Sequence, residues 1–438
     1  MKGSALLAAY RLASAAVGVT GPLYVYWRGK LGRDDFSRRH ERLGRPYIAR
    51  PNGRVALLHA ASAAQSLAFP PLVEKLGRLG FTVLSSIGDV SSGPIRAPRL
   101  PPSLHQLAPL DAPRFTARFI DHWRPDIVLI SAPEIPPNLI VEASRRKIPV
   151  ALVDAHLSGR RFLTWRKFPG FAGSLLHRID LCLAQTNADA QRFAKLGMQK
   201  VRVTGSLKYD FVPVPVDQSA LARLLARIGT RPAWVADGIY PDEQEIAMAA
   251  HRRLARQFPD LLTIIVPANP KHAFEIAQRA ANIGLTAALR GGDRESAPLP
   301  EIYVAPALSE AGLFLRGASV IFAGKSFHGG GKNPVEAARL GCAILHGPEV
   351  EDFEEIYAAL DNAGGGALVF DAETLAKQLA LLFFDKTELR AMARAAAETA
   401  EAFAGASTRI MQAIEPYLAQ AMIAARGGEG EATSDQAY

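Results

Sequence analysis

The sequence predicts an α/β protein built from two doubly wound halves. Three observations lead there. First, 438 residues are more than one hydrophobic core usually organises. Second, short apolar runs alternate with segments of helical spacing, giving a βαβ rhythm. Most of the runs are continuous in Val, Ile, Leu and Ala, as strands buried on both faces are. Third, the rhythm pauses at 209–219, "YDFVPVPVDQS", where prolines alternate with valines as an extended connector would have them. The expected division is an N-terminal membrane anchor (1–30), a first α/β domain (31–212), a second (213–426) and a disordered polar tail (427–438). A cleft is expected between the domains, with ligands outside the carboxyl ends of the strands.

Taken in order, the chain opens on an apolar stretch at 4–27, "SALLAAYRLASAAVGVTGPLYVYW". Arg11 interrupts it and Gly21-Pro22 is expected to kink it, so it is a poor plain spanning helix. No convincing small-residue cleavage site marks it as a signal peptide. Arg28, Lys30, Arg33, Arg38, Arg39, Arg42 and Arg45 follow. An interfacial or marginally spanning anchor beside a cationic collar fits this pattern; the buried first helix of a soluble domain is the alternative. Strands are expected at 55–60, 81–87, 126–132, 149–155, 181–186 and 201–205 in the first half. In the second half they are expected at 233–238, 262–268, 301–305, 319–324, 342–347 and 367–370.

Composition narrows the function. Hydrophobic residues are 49% and charged residues 21%, a globular balance. A net charge of +9 points to an anionic partner: nucleic acid, membrane surface or phosphorylated substrate. The charge gathers near the anchor and no nucleic-acid recognition motif is present, which argues against nucleic acid. Two cysteines, Cys182 and Cys342, with no ligand spacing, give neither a metal site nor a disulfide framework and suit a reducing compartment.

The most informative stretch is 322–341, "FAGKSFHGGGKNPVEAARLG". A predicted strand runs into three glycines, which adopt backbone angles closed to other residues and let N–H groups approach a ligand. Asn333 suits a helix N-cap, Pro334 the first helical position and Glu336 the third. Glycines ahead of a helix start make a ready anion site. The competing reading is a capping box in which the glycines only make the turn. The loop is neither a Walker A nor a Rossmann fingerprint.

These stretches resemble the 3-deoxy-D-manno-octulosonic acid (Kdo) transferases, which adopt the GT-B fold. The family's "GG-HNP-EAA" reads "GGGKNPVEAA" here. "RRHERLG" is similar to its Arg-rich element, "LLHAASAAQSLAFPPLVEKL" to its first strand-loop-helix, and "PEIPPNLI" to "TELWPNLI". "DAHLSGRR" resembles "NARLSARS", "VTGSLKYD" is nearly identical to "VTGNLKFD", "IIVPANPKH" resembles "LVPRHPER" and "HGPEVEDFEEI" resembles "GPHTFNFKDI". The likeness runs in order over residues 1–420. It implies inverting transfer of Kdo from CMP-Kdo to a phosphorylated glycolipid, the lipid A precursor, at the cytoplasmic face of the cell inner membrane, without a cofactor. The first domain would then be the acceptor side and the second the nucleotide-sugar side.

Carried over residue by residue, the resemblance implies that Lys208 stabilises developing negative charge and that Glu336 contacts the cytidine ribose. It places Ala268, Asn269, Leu308, Ser309, Glu310, Gly330, Gly331, Asn333, Pro334 and Val335 around the nucleotide. It also exposes departures. The family's general base falls at Gln65, whose amide lacks a proton-accepting carboxylate. The first glutamate of its "ETELWPN" becomes Ala132 while the second remains as Glu134. The Arg-His of "PRHP" becomes Ala268-Asn269, and its "STHEGEE" loop becomes "DGIYPDEQE" with Asp237, Asp242, Glu243 and Glu245. Glu134 and Asp237, each after a predicted strand, are the carboxylates placed to substitute for the base, Glu134 first. His59 is either a substrate-orienting group or base, or a structural strand-end histidine. Arg160 and Arg161 either bind an anion or are solvated. Lys325, His328 and Lys332 are cations of the glycine loop, and the two lysines are candidates to replace the missing arginine. Two alternatives stay open: a related GT-B transferase with another donor or acceptor, and a catalytically impaired glycolipid-binding paralogue.

Overall fold

The computed structural model describes residues 4–31, 35–89, 103–131, 135–210, 216–291, 298–306 and 310–432. The chain forms two units, Met1–Asp210 with Gly405–Tyr438, and Phe211–Ala404. Each holds one parallel seven-stranded sheet.

In the first unit the strands are β1 (Arg54–Ser62), β2 (Phe81–Asp89), β3 (Ser103–Leu107), β4 (Ile127–Ser131), β5 (Val150–Ala155), β6 (Leu181–Ala184) and β7 (Val201–Val203), in the order β3-β2-β1-β4-β5-β6-β7. In the second they are β8 (Ala233–Ile239), β9 (Leu262–Pro267), β10 (Ala287–Leu289), β11 (Ile302–Val304), β12 (Val320–Ala323), β13 (Ala343–His346) and β14 (Gly366–Leu368), in the order β10-β11-β9-β8-β12-β13-β14. Both are doubly wound GT-B halves. The chain winds outward from β1 through β2 to β3; from β8 it passes β9 to the edge strand β10, and β11 then fills the place between them. It returns to the other side at β4 or β12, so each sheet has a topological switch point, β1/β4 and β8/β12. The central strands are buried along their length, as their continuous apolar runs require.

Every expected strand is present. Two were not expected, β3 and β10, and both lie at a sheet edge. "SLHQL" in β3 is half polar, and β10 has three half-buried residues, so neither shows the apolar run that identifies a central strand.

The first unit ends at Asp210 and takes in the C-terminal segment from Gly405. The helix Ala406–Ala432 packs on the first unit, where Ala406, Ile410, Ala413, Ile414 and Leu418 join the core with Leu58, Leu72 and Leu207. Asp210 fixes its start, its carboxylate accepting the N–H groups of Gly405 (2.6 Å), Ala406 (3.0 Å) and Ser407 (2.5 Å). The helix also continues to Ala432, into the stretch expected to be disordered.

The N-terminal stretch is one helix, Ala5–Lys30, with Pro22 inside it and no break at Gly21. At Gly21 a Cβ would stand 2.8 Å from the Phe115 ring, so the glycine admits close packing there. A polar seam holds the helix to its own unit. Arg11 pairs with buried Glu142 at 2.7 Å, Tyr10 donates to Asp111 at 2.8 Å, and Asn138 Nδ2 donates to Ser14 at 3.0 Å. The cationic collar is largely spent on internal contacts. Arg38 forks onto Glu41, and Arg42 is buried, donating to the carbonyls of Ile87 and Ala108. A buried guanidinium has five N–H groups to satisfy and takes what acceptors the fold offers. Lys30 and Arg45 stay exposed, and Arg33 lies outside the described residues.

Candidate functional site

At the β1/β4 switch point the single helical turn Ala63–Ser66, directly after β1, carries Gln65. Its Oε1 accepts the Ala61 N–H at 2.9 Å, and its own N–H reaches Ser62 Oγ at 3.4 Å. The side chain closes a turn with the very group that a base would need. Ala132 and Glu134 lie outside the described residues. His59, in β1, is buried, and its Nδ1 is 3.5 Å from Ser86 Oγ. Burial, reinforced by Arg42, pushes its pKa down to about 4, so the imidazole is neutral, as a structural strand-end histidine is.

Lys208 sits in a single turn, Leu207–Tyr209, after β7. Leu207 and Tyr209 are buried and Lys208 is exposed, so the turn turns the lysine outward. Arg160 and Arg161 are exposed on the helix Gly159–Arg166, whose first turn is capped by Ser158.

The second unit supplies the more elaborate site. At its switch point Asp237, at the C-terminal end of β8, is buried and ion-paired with Lys332. Glu336 is close by. Burial raises its pKa and the Asp237 charge adds to that, while Lys332 and Arg316 oppose it. A Cβ on Gly312 would stand 3.2 Å from Glu336 Oε1 and 3.1 Å from Arg316 Nη1, so carboxylate and guanidinium flank that glycine. Tyr357, fully buried, donates to the Lys332 carbonyl at 2.6 Å and fixes the backbone that carries the lysine.

The glycine loop is shaped by its own backbone and packing. Gly330 and Gly331 have φ of +81° and +83°. A Cβ there would meet Asp352 Cγ at 2.8 Å and Val350 Cα at 3.1 Å, so both the backbone angle and the packing demand glycine. The Gly331 N–H is spent inside the loop, on Lys325 O at 2.7 Å. Three further loop amides are taken by Glu243, which is fully buried. Its Oε1 accepts Ser326 N (2.8 Å) and Phe327 N (3.2 Å), and its Oε2 accepts Lys325 N (2.9 Å) and Tyr240 N (2.8 Å). The chain's own carboxylate thus gathers the amides of Lys325, Ser326 and Phe327, just ahead of the three glycines. Glu243 read in sequence as an ordinary loop acid; its only visible sign was its place three residues after Tyr240, the N-cap of the following helix.

The helix begins one residue later than expected, with Pro334 rather than Asn333 at its N-cap, and Asn333 Oδ1 accepts Val335 N at 3.1 Å from just ahead of it. The helix Val335–Arg339 has five residues, so its dipole is small. Positive charge beside this helix start therefore comes from side chains, Lys332 among them. Lys325 lies over the Tyr240 ring, and His328 pairs with Asp242 at 2.6 Å. Glu310 is held in a two-pronged pair by Arg290, both contacts 2.9 Å. Asn269 caps the turn Pro270–His272 through Lys271 N at 3.1 Å, and Ala268 N extends the β8 pairing to Ile239 O at 3.0 Å. Leu308 and Ser309 lie outside the described residues. Among the described residues no cluster of His, Cys, Asp and Glu has metal-site geometry.

A family model for 3-deoxy-D-manno-octulosonic-acid transferase (kdotransferase) matches residues 37–211. The chain is 30% identical over 367 residues to a probable mitochondrial 3-deoxy-D-manno-octulosonic acid transferase of Arabidopsis thaliana, covering 81% of this chain and 82% of that protein. It is 27% identical over 369 residues to a 3-deoxy-D-manno-octulosonic acid transferase of Rickettsia bellii, covering 82% and 88%. Among solved structures, a putative UDP-N-acetylglucosamine 2-epimerase from Listeria monocytogenes superposes with a TM-score of 0.56 at 18% identity, covering 84% of this chain and 98% of that one. That last likeness speaks to the GT-B fold alone. With 30% identity to the Arabidopsis thaliana relative, extending over four-fifths of both chains, the chain belongs to the 3-deoxy-D-manno-octulosonic acid transferase family.

Proposed function

We propose that the chain is a glycosyltransferase that moves Kdo from CMP-Kdo to the lipid A precursor, with the donor held at the β8/β12 switch point of the second unit. The observation that carries this is the pairing there of a lysine fastened by a buried aspartate, Lys332 with Asp237, beside the carboxyl of Glu336. A fixed cation matches the cytidylate phosphate, and a carboxylate accepts hydrogen bonds from a ribose diol. In the transfer, an acceptor hydroxyl oxygen forms the new bond to the anomeric carbon. The bond to the CMP phosphate oxygen breaks, its electron pair leaves with CMP, and the hydroxyl proton passes to a base. Lys208 is the cation for charge developing on the first-unit side.

The N-terminal helix supports docking at a membrane interface rather than a simple crossing. It is long and apolar enough to span a bilayer. Yet its polar seam faces its own unit, while Leu12, Val19, Leu23 and Trp27 face outward. Placement on the cytoplasmic face of the inner membrane belongs to the same proposal.

A second reading, a donor-binding paralogue without turnover, is favoured by Gln65. Incubating the purified chain with CMP-Kdo and a tetra-acylated lipid A precursor decides between them. CMP release with a Kdo-bearing lipid establishes the transferase; donor binding without product establishes the paralogue; no donor binding removes both.

A further inference from the structure

We propose that Asp154 is a positioning residue for Lys208, its carboxylate carrying the turn that presents the lysine at the carboxyl edge of the first sheet. Asp154 is the next-to-last residue of β5 and adopts φ +50°, a left-handed conformation unusual outside glycine. The β5/β6 register shifts between Leu152 and Ala155, the interval that contains it. A backbone distortion of this kind in a central strand re-aims a side chain, and here it aims a carboxylate at the Lys208 turn.

The contacts are specific. Asp154 Oδ1 accepts the Leu207 N–H at 2.8 Å and the Ser206 hydroxyl at 3.1 Å. Ser206 Oγ in turn accepts the Lys208 N–H at 3.3 Å. Three consecutive residues, Ser206 to Lys208, thus hang on one carboxylate. On the far side Asp210 ties the same segment to the start of the C-terminal helix. Asp154 is 6% exposed, and burial pushes its pKa up, with its hydrogen bonds and the Lys208 charge opposing the shift. A neutral asparagine could accept the same two bonds without burying a charge. What the carboxylate adds is attraction for the Lys208 ammonium.

The catalytic half of this inference rests on the transferase reading above, and the positioning half does not. The experiment has two arms. In the first, amide exchange is followed by mass spectrometry in the full-length native chain, Asp154→Ala and Asp154→Asn. Exchange across 206–209 is expected to be about tenfold faster in the alanine variant, with the rest of the sheet unchanged, and close to native in the asparagine variant, which keeps the acceptor. If the alanine variant folds poorly, Ser206→Ala gives the same test with a smaller expected effect. In the second arm, transfer is measured in a double-mutant cycle with Lys208→Ala. Asp154→Ala is expected to lower kcat about 10²-fold with the donor KM nearly unchanged, and to have no further effect once Lys208 is gone. Native exchange across 206–209 in Asp154→Ala overturns the proposal, as does an equal loss of kcat with and without Lys208. If the native chain transfers no sugar, the transferase reading falls, and the exchange arm alone sustains or overturns the positioning role.

Discussion

Replacing Glu243 by glutamine isolates the group that organises the glycine loop of the second unit. The native carboxylate, fully buried, serves Tyr240 and Lys325 through one oxygen and Ser326 and Phe327 through the other. The amide keeps one oxygen and puts an NH2 group in place of the second. Two backbone N–H groups then lose their acceptor and face a donor. A buried polar group left unsatisfied costs about 1–3 kcal/mol, so two cost about 2–6 kcal/mol. That is comparable with the whole stability of a domain, roughly 5–15 kcal/mol. The assay is native-state amide exchange of the full chain at increasing urea, which reads the two units separately where a single unfolding curve does not. The expected result is faster exchange across 325–331 and a second unit that opens at lower urea, with the first unit unaffected. Unchanged exchange across that loop, together with a loss below about 1 kcal/mol, would refute the claim that Glu243 holds it.

Three more predictions concern the first unit. Gln65→Glu keeps the Ala61 contact and adds a second, ionisable oxygen, so transfer is expected to rise by about 10²–10⁴-fold with stability unchanged; a gain under about threefold in an active enzyme would place the base elsewhere. His59, with its pKa lowered from 6.5 to about 4, stays neutral while the unfolded chain takes up a proton, so stability falls as pH drops through that window. The full loss is about 3 kcal/mol; urea titrations between pH 7 and 4 should show a shallower dependence in His59→Gln, and identical slopes would contradict the neutral buried histidine. Asp210→Ala removes the cap of the C-terminal helix and is expected to cost about 1–2 kcal/mol, with exchange rising first across 406–418; no change there would mean the docked apolar face holds the helix unaided.

Much of the fold was legible because the central strands carry continuous apolar runs, a signal that does not depend on what packs above them. β3 and β10 escaped it because edge strands need no such run. The return of the C-terminal helix to the first unit is a long-range fact. Its pattern marks a helix but not which sheet its apolar face will cover; that depends on partners far away in sequence, the Asp210 cap and the core around Leu58 and Leu72. Arg11 read as an interruption of an apolar helix; the structure gives the reason, a buried glutamate opposite. At the candidate site the glycines and the Asn333-Pro334 pair stand out in sequence, whereas the carboxylate that gathers the amides just ahead of the glycines does not. Glu243 and Asp154 looked like any other acids, since a carboxylate's structural role is set by the N–H groups it meets, and those come from segments distant in the chain.

Titration of CMP, and of cytidine beside it, into the natively folded chain by calorimetry tests most directly whether a fixed cation at the β8/β12 edge receives a cytidylate. One saturable site, with CMP binding at least about tenfold tighter than cytidine because Lys332 meets the phosphate, is the expected result. No heat from CMP in a chain whose circular dichroism is native, or equal affinities for the two ligands, would contradict it.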